Sequence, residues 1–239
     1  MKGSIRLFKV FDISINIHIT FILLLALFLT GGVRWLVLMI GVFFFVTLHE
    51  LCHSLVAKHF GITVREITLL PIGGVASMAK MPKRPYQEFL ISIAGPAFNI
   101  LVVAALYIPL NYILGPEVLF HPLSTATWPL TAAYLYWINL ILALFNLIPA
   151  FPMDGGRILR SLLARKIGYR KATKFAVNLG HIFALFFAYF GVVRFNLMLV
   201  AIALFIYMAA STEEAQLDIR TMLEKDRDDN TLPHDPHKM

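Results

Sequence analysis

The apolar runs of this chain recur at a length that decides its solvent. Stretches at roughly 19–31, 35–58, 89–114, 128 onward, 175–193 and 195–211 approach or exceed the roughly 20 residues that cross a bilayer. The fold class this implies is an α-helical polytopic membrane protein with six transmembrane helices. Composition agrees: only 15% of residues are charged and 59% are hydrophobic, whereas an ordinary soluble domain carries roughly 25% charged residues. The net charge of +7 is not a nucleic-acid footprint, because the basic residues lie between the apolar runs and form no patch with stacking aromatics. That distribution suits loops that meet anionic headgroups, so the expected partner is the lipid bilayer and not nucleic acid. A single cysteine excludes an internal disulfide. The N-terminus lacks a short apolar region with a cleavage site, so the first run is expected to be inserted and kept.

Between the runs the pattern changes period. From Ile13 to Thr20, isoleucine alternates with Ser14, Asn16, His18 and Thr20, which reads as a strand. Residues 62–80 are β-branched and glycine-containing and read as short strands or a hairpin. Unpaired strand edges cannot lie in lipid, so these segments belong to a small interfacial β-sheet. With six spans and the N-terminus inside, all of the 21 basic residues except Arg34 and Arg194 fall on one side. The positive-inside rule therefore predicts both termini and the sheet on the cytoplasmic side of a multi-pass protein of the cell membrane. Residues 154–171 read as a short basic helix. The expected organisation is a transmembrane core over 1–210 and a cytoplasmic tail over 211–239, a short helix followed by a disordered end.

The second span holds His49-Glu50-Leu51-Cys52-His53. Histidines at i and i+4 share one helix face and can grip one metal ion, and Glu50 beside them can serve a water molecule as its base. Cys52 falls about 100° round the helix from His53 and reads as a packing residue. Two histidines and a glutamate can also simply satisfy one another in a helix bundle. Ionisable groups at membrane depth are costly, however, and call for a function.

A carboxylate follows in Asn146-Leu147-Ile148-Pro149-Ala150-Phe151-Pro152-Met153-Asp154-Gly155-Gly156. Two histidines and one carboxylate form a standard zinc set that leaves one position for water. By itself Asp154 before two glycines reads equally as a turn. Pro149 and Pro152 prevent regular helix, and unwound backbone at membrane depth needs protein or water around it. Asn146, where the break begins, either bonds freed carbonyls or orients substrate and supports an oxyanion. Ser92, Gly95 and Asn99 lie at i, i+3 and i+7, a small-residue face suited to close helix packing, with Asn99 as a polar tip. Gly73 and Gly74 either make a tight turn or expose a strand edge to an extended peptide.

Taken together, three stretches identify the chain as similar to the site-2 proteases, membrane-embedded zinc metalloproteases: His49 to His53, Gly95-Pro96-Ala97-Phe98-Asn99, and Asn146 to Gly156. The Leu69-Leu70-Pro71-Ile72-Gly73-Gly74-Val75 segment resembles the family as well, and the likeness covers about residues 1–210. The resemblance implies an enzyme that hydrolyses peptide bonds in or near transmembrane segments of membrane-bound regulatory proteins. It implies one Zn2+ per chain on His49, His53 and Asp154, with Glu50 as general base. Asn146 would lie beside the metal and help hold substrate, Asn99 would support the site, and Gly73 and Gly74 would belong to the sheet that receives substrate. Cys52 departs from a position where the family often has glycine. Many relatives carry a PDZ domain or paired CBS domains, and neither is expected here.

Two other readings stay in view. A metal-binding membrane protein without hydrolysis, such as a transporter, would need no base beside its ligands. A prenyl-protein endopeptidase would take a glutamate as third ligand, and no glutamate stands in a matching position.

Overall fold

A two-residue turn sets the first sheet pairing. Val10 pairs with Ile13, and Phe11 and Asp12 between them both take positive φ, 48° and 64°, the backbone of a tight hairpin. The turn joins β1 (Ser4–Val10) to β2 (Ile13–His18) in antiparallel register. Lys9 pairs with Asp12 at 2.9 Å, and Lys58 donates to the Phe11 carbonyl at 2.6 Å. The computed structural model describes residues 3–71, 73–78, 84–120 and 127–231, and these form two compact units divided between Ile148 and Pro149.

In the first unit β2 runs into α1 (Ile19–Leu29), which the glycine pair Gly31-Gly32 ends; Gly32, at φ 102°, stands as the N-cap of α2 (Val33–His59). After α2 the chain returns as β3 (Val64–Leu70), parallel to β2, and then as β4 (Gly73–Met78), antiparallel to β3. Sheet order is β1-β2-β3-β4. A parallel pair requires a crossover, and here the crossover contains the histidine helix. The sheet thus holds α2 in place by an apolar core of Ile13, Ile15, Leu51, Ala57, Val64, Ile67 and Ile91.

The remaining elements of this unit are α3 (Pro85–Leu114), a short α4 (Pro116–Phe120) and α5 (Trp128–Asn146). Thr127 caps α5 by accepting from the Leu130 N–H. Leu110, Leu119, Ala133 and Tyr136 form a second core where these three helices pack. The second unit holds α6 (Asp154–Ile167), α7 (Tyr169–Val193) and α8 (Leu197–Thr231). Gly168, at φ 82°, joins α6 to α7 with one residue. Asn196 caps α8 by accepting from the Met198 and Leu199 N–H groups.

Among the described residues five helices, α2, α3, α5, α7 and the part of α8 up to Ile219, are long and apolar enough to cross a membrane. Their outward surfaces are apolar too; Ile108 on α3 is 74% exposed. An exposed apolar surface on this scale is what a lipid solvent permits. The sixth expected span differs: α1 has 11 residues, or about 16 Å of helix against about 30 Å of hydrocarbon. The alternation at 13–20 is strand only to His18, whose ring accepts from the Thr20 N–H to start α1. α4 and strand β1 are additions that the sequence reading lacked. α8 continues through Ser211 without a break, where a new short helix was expected. The end of the tail, with His234 and His237, lies outside the described residues.

Candidate active site

α2 presents His49 and His53 to α3, and both are buried. The His49 Nδ1 meets the Asn99 Oδ1 at 2.6 Å, and the His53 Nδ1 meets the Ile91 carbonyl at 2.6 Å. Both partners are acceptors, so both Nδ1 atoms carry the proton and donate. Each neutral ring then offers a bare lone pair at Nε2. Those two Nε2 atoms lie 3.1 Å apart. Two lone pairs facing at that distance repel unless a cation holds them. Zinc–nitrogen bonds of about 2.0–2.1 Å at a tetrahedral angle place two nitrogens about 3.3 Å apart. The pair therefore fits a divalent ion of the zinc type.

Gly95 makes room for this arrangement. A Cβ there would lie 2.6 Å from the His49 Nε2 and would also strike the His53 Nε2. The small-residue face of α3 thus packs closely on α2, as its spacing implied, and the space it leaves borders the two donor atoms. Ser92 and Asn99 on the same face are both buried.

Glu50, half-buried and next in chain to His49, lies against the sheet. A Cβ on Gly74 would come within 2.8 Å of the Glu50 Cγ and 3.5 Å of the Val46 Cγ1. Gly73 and Gly74 are not a turn; they are the first residues of β4, paired with Leu70 and Leu69. β4 stands at one end of the sheet order, so the carboxylate side chain packs directly against a terminal strand. Asn146 is the last residue of α5 and is half-buried.

Asp154 belongs to the second unit, where it opens α6. A carboxylate in the first turn of a helix is favoured by the helix dipole. The irregular segment before it is fixed by its neighbours. The Phe151 N–H donates to the Ala176 carbonyl at 3.2 Å, and Ala150 and Phe151 are fully buried. Gly156 and Gly180 give the segment its path, since a Cβ on either would collide with the backbone of Ala150 or Phe151. The Arg160 guanidinium lies over the rings of Phe151, at 4.6 Å, and Tyr169, at 4.9 Å, and bonds Glu213 of α8 at 3.3 Å.

The family model for peptidase family M50 matches residues 37–126 and 117–187, which include His49, Glu50, His53, Gly95, Asn99, Asn146 and Asp154. The chain belongs to peptidase family M50. A site-2 protease from Methanocaldococcus jannaschii, solved as a structure, is 44% identical with a TM-score of 0.66, over 88% of this chain and 95% of that one. A zinc metalloprotease of the same organism is 43% identical over 229 residues, 94% of this chain and 64% of that protein. Stage IV sporulation protein FB of Bacillus subtilis is 27% identical over 226 residues, 91% of this chain and 73% of that one. This M50 chain therefore spans about two thirds of the length of the M. jannaschii relative, and 45% of a 36% identical protein of Synechocystis.

Two parts of the site escaped the sequence reading. Asn139 of α5 accepts from the Asn99 Nδ2 at 2.9 Å. Its signal was a carboxamide amid Trp137-Ile138 and Leu140-Ile141, seven residues before Asn146. Arg160 counted only as one more basic residue near a membrane surface, although it is 2% exposed.

Proposed function

We propose that this M50 chain is an intramembrane zinc metalloprotease that cleaves peptide bonds within or near transmembrane segments of membrane-bound regulatory proteins. The observation that carries this reading is the histidine pair: two Nε2 lone pairs turned to each other, with a carboxylate on the next residue and a terminal strand against it. In this reading His49, His53 and Asp154 hold one Zn2+. Bound there, the ion would supply Lewis acidity, lowering the pKa of water and polarising a scissile carbonyl.

The chain's own groups do the rest. Glu50 takes a proton from the attacking water on its carboxylate and returns it to the leaving amine nitrogen. A substrate helix must unwind to expose a carbonyl, and the edge of β4 beginning at Gly73 and Gly74 can receive the extended segment by backbone pairing. Asn146 orients that segment or steadies the developing oxyanion. Asn99 has both ends of its amide engaged, by His49 and Asn139, so its support is exerted through His49.

The topology we propose has six crossings, with the short α1 and the residues that follow it making the first. Both termini, the sheet and the active-site end of α2 then face the cytoplasm of a cell-membrane protein, as the charge distribution supports. The core ends near residue 210, where the apolar stretch of α8 gives way to charge.

The test is a pair of variants reconstituted with a transmembrane peptide carrying a helix-breaking residue. Glu50→Gln is expected to cut cleavage by at least the roughly 10²–10⁴-fold that a general base supplies, with zinc content unchanged. Asp154→Ala is expected to lose zinc itself. Cleavage by Glu50→Gln at the wild-type rate would remove Glu50 from the mechanism, and zinc indifferent to both Asp154 and the histidines would favour a non-catalytic metal protein.

A further inference from the structure

Asn139 sits in the middle of an apolar helix and is 1% exposed. Burying a carboxamide among apolar groups is costly unless its hydrogen bonds are made. Here they are made in a fixed order. The Asn139 Nδ2 donates to the Leu135 carbonyl at 2.8 Å, and its Oδ1 accepts from the Asn99 Nδ2 at 2.9 Å. Asn99, with no exposed surface, in turn offers Oδ1 to the His49 Nδ1 at 2.6 Å.

A backbone carbonyl can only accept. The amino end of Asn139 must therefore face Leu135, and its oxygen must face Asn99. The amino end of Asn99 must face that oxygen, which leaves the Asn99 oxygen toward the ring. The sign of one carbonyl is thus passed through two amides to His49, which must hold its proton on Nδ1. Turning either amide over would set donor against donor and acceptor against acceptor and leave buried polar groups unsatisfied. His53 receives the same instruction in one step, from the Ile91 carbonyl. The two histidines of one motif are thus oriented by different means, one by backbone and one by a side-chain relay.

We propose that Asn139 is a positioning residue for the metal site: it fixes the direction of the Asn99 amide and so keeps the His49 proton on Nδ1 and its Nε2 open to the metal. The proposal rests on the reading that His49 is a zinc ligand. Asn139 touches neither metal nor substrate in this role. A ligand's hydrogen-bond partners orient its ring and commonly set metal affinity over a 10–100-fold range, and Asn139 acts one step further out.

Zinc affinity of the purified full chain, measured by competition with a chromogenic chelator, separates relay from packing. Asn139→Leu keeps the bulk and removes both polar ends. Asn139→Asp keeps the shape and, in either protonation state, an acceptor oxygen toward Asn99. Asn139→Leu is expected to bind zinc about 10-fold or more weakly, while Asn139→Asp stays near wild type. A second readout needs no metal: with 15N-labelled histidine in zinc-free protein, the His49 signal (identified by its loss in His49→Gln) should show the proton on Nδ1. That signal should persist in Asn139→Asp and shift toward Nε2 in Asn139→Leu. Should Asn139→Leu not fold, the ring-nitrogen spectra of wild type and Asn139→Asp decide. Wild-type affinity in Asn139→Leu, equal weakening in both variants, or a zinc-free wild type with the His49 proton on Nε2 would each overturn the relay. His49→Ala with undiminished zinc affinity would instead overturn the site reading on which it rests.

Discussion

The histidine region and the Asp154 region face the same demand, which is to hold a polar side chain steady in an apolar medium, and they meet it with different physics. Around His49 and His53 the helices are regular, and the control lies in hydrogen-bond direction: Ile91, Asn99 and Asn139 dictate where each ring proton sits. Around Asp154 the backbone itself is irregular, and the control lies in packing. Phe151 is fully buried under Arg160, and Gly156 and Gly180 admit the segment only because they lack side chains. The first region should therefore be damaged by anything that moves a ring off its Nδ1 partner, and the second should bear a change of polarity that keeps its shape.

The largest break in that comparison is a methyl group placed among the histidines. Gly95→Ala puts a Cβ 2.6 Å from the His49 Nε2, and neither ring can retreat without giving up its Nδ1 bond. Zinc affinity is expected to fall by more than the roughly 10–100-fold that outer-shell changes cost. Overpacking should also destabilise the chain by about 1–3 kcal/mol. Chelator competition together with a thermal melt measures both. Full zinc affinity in this variant would mean that the two rings sit otherwise than described.

In the second region the corresponding change is Glu213→Gln. It keeps the shape and removes the charge that faces Arg160 at 3.3 Å and Arg157 at 4.0 Å. Leaving a buried arginine without its carboxylate costs up to about 3–5 kcal/mol. Glu213 is 16% exposed, so about 2 kcal/mol is expected here, or roughly 4–8 °C in Tm for a chain of this size. If packing is what holds the Asp154 segment, zinc affinity should change much less than Tm. A loss of zinc as large as that in Gly95→Ala would show that charge holds this region as well, and the contrast would fail.

How much of this was legible in the sequence follows from where each determinant lies. The metal motif and the four long apolar helices α2, α3, α5 and α7 are written in consecutive residues, and the structure places them where the spacing put them. Gly95 was found as a packing position because i, i+3, i+7 is a local code. Asn139 and Arg160 were not found, because their importance lies in partners 40 and 53 residues away along the chain. α1 is shorter than its apolar run suggests, because hydropathy does not register that Gly31-Gly32 stops a helix. α8 was cut short for the opposite reason. The onset of charge at Ser211 marks a change of solvent, whereas Glu, Ala, Gln and Leu remain good helix formers and carry the helix on.

The smallest expected effect lies at the hairpin turn, in the same unit as the histidines but far simpler in construction. β1 was missed because its residues are exposed on both faces and show no alternation, and because Phe11-Asp12 is not the Asn-Gly pair that announces such a turn. The Lys9 ammonium, by hydrogen bond and by charge, and the Lys58 charge hold the Asp12 carboxyl below its ordinary value of 3.8. Since the folded pKa is depressed, the stabilisation is present above 3.8 and is lost as pH falls through the folded value. Asp12→Asn should accordingly lower Tm slightly at pH 7 and not at all once the wild-type carboxyl is protonated below pH 3.8. Asparagine tolerates positive φ, so backbone strain should not mask the comparison. Thermal melts of both proteins across that range would show the difference closing with acid. A gap that stays constant through the range would mean that the turn is held by its backbone and the Lys58–Phe11 bond alone, and that the ion pair at its tip contributes nothing.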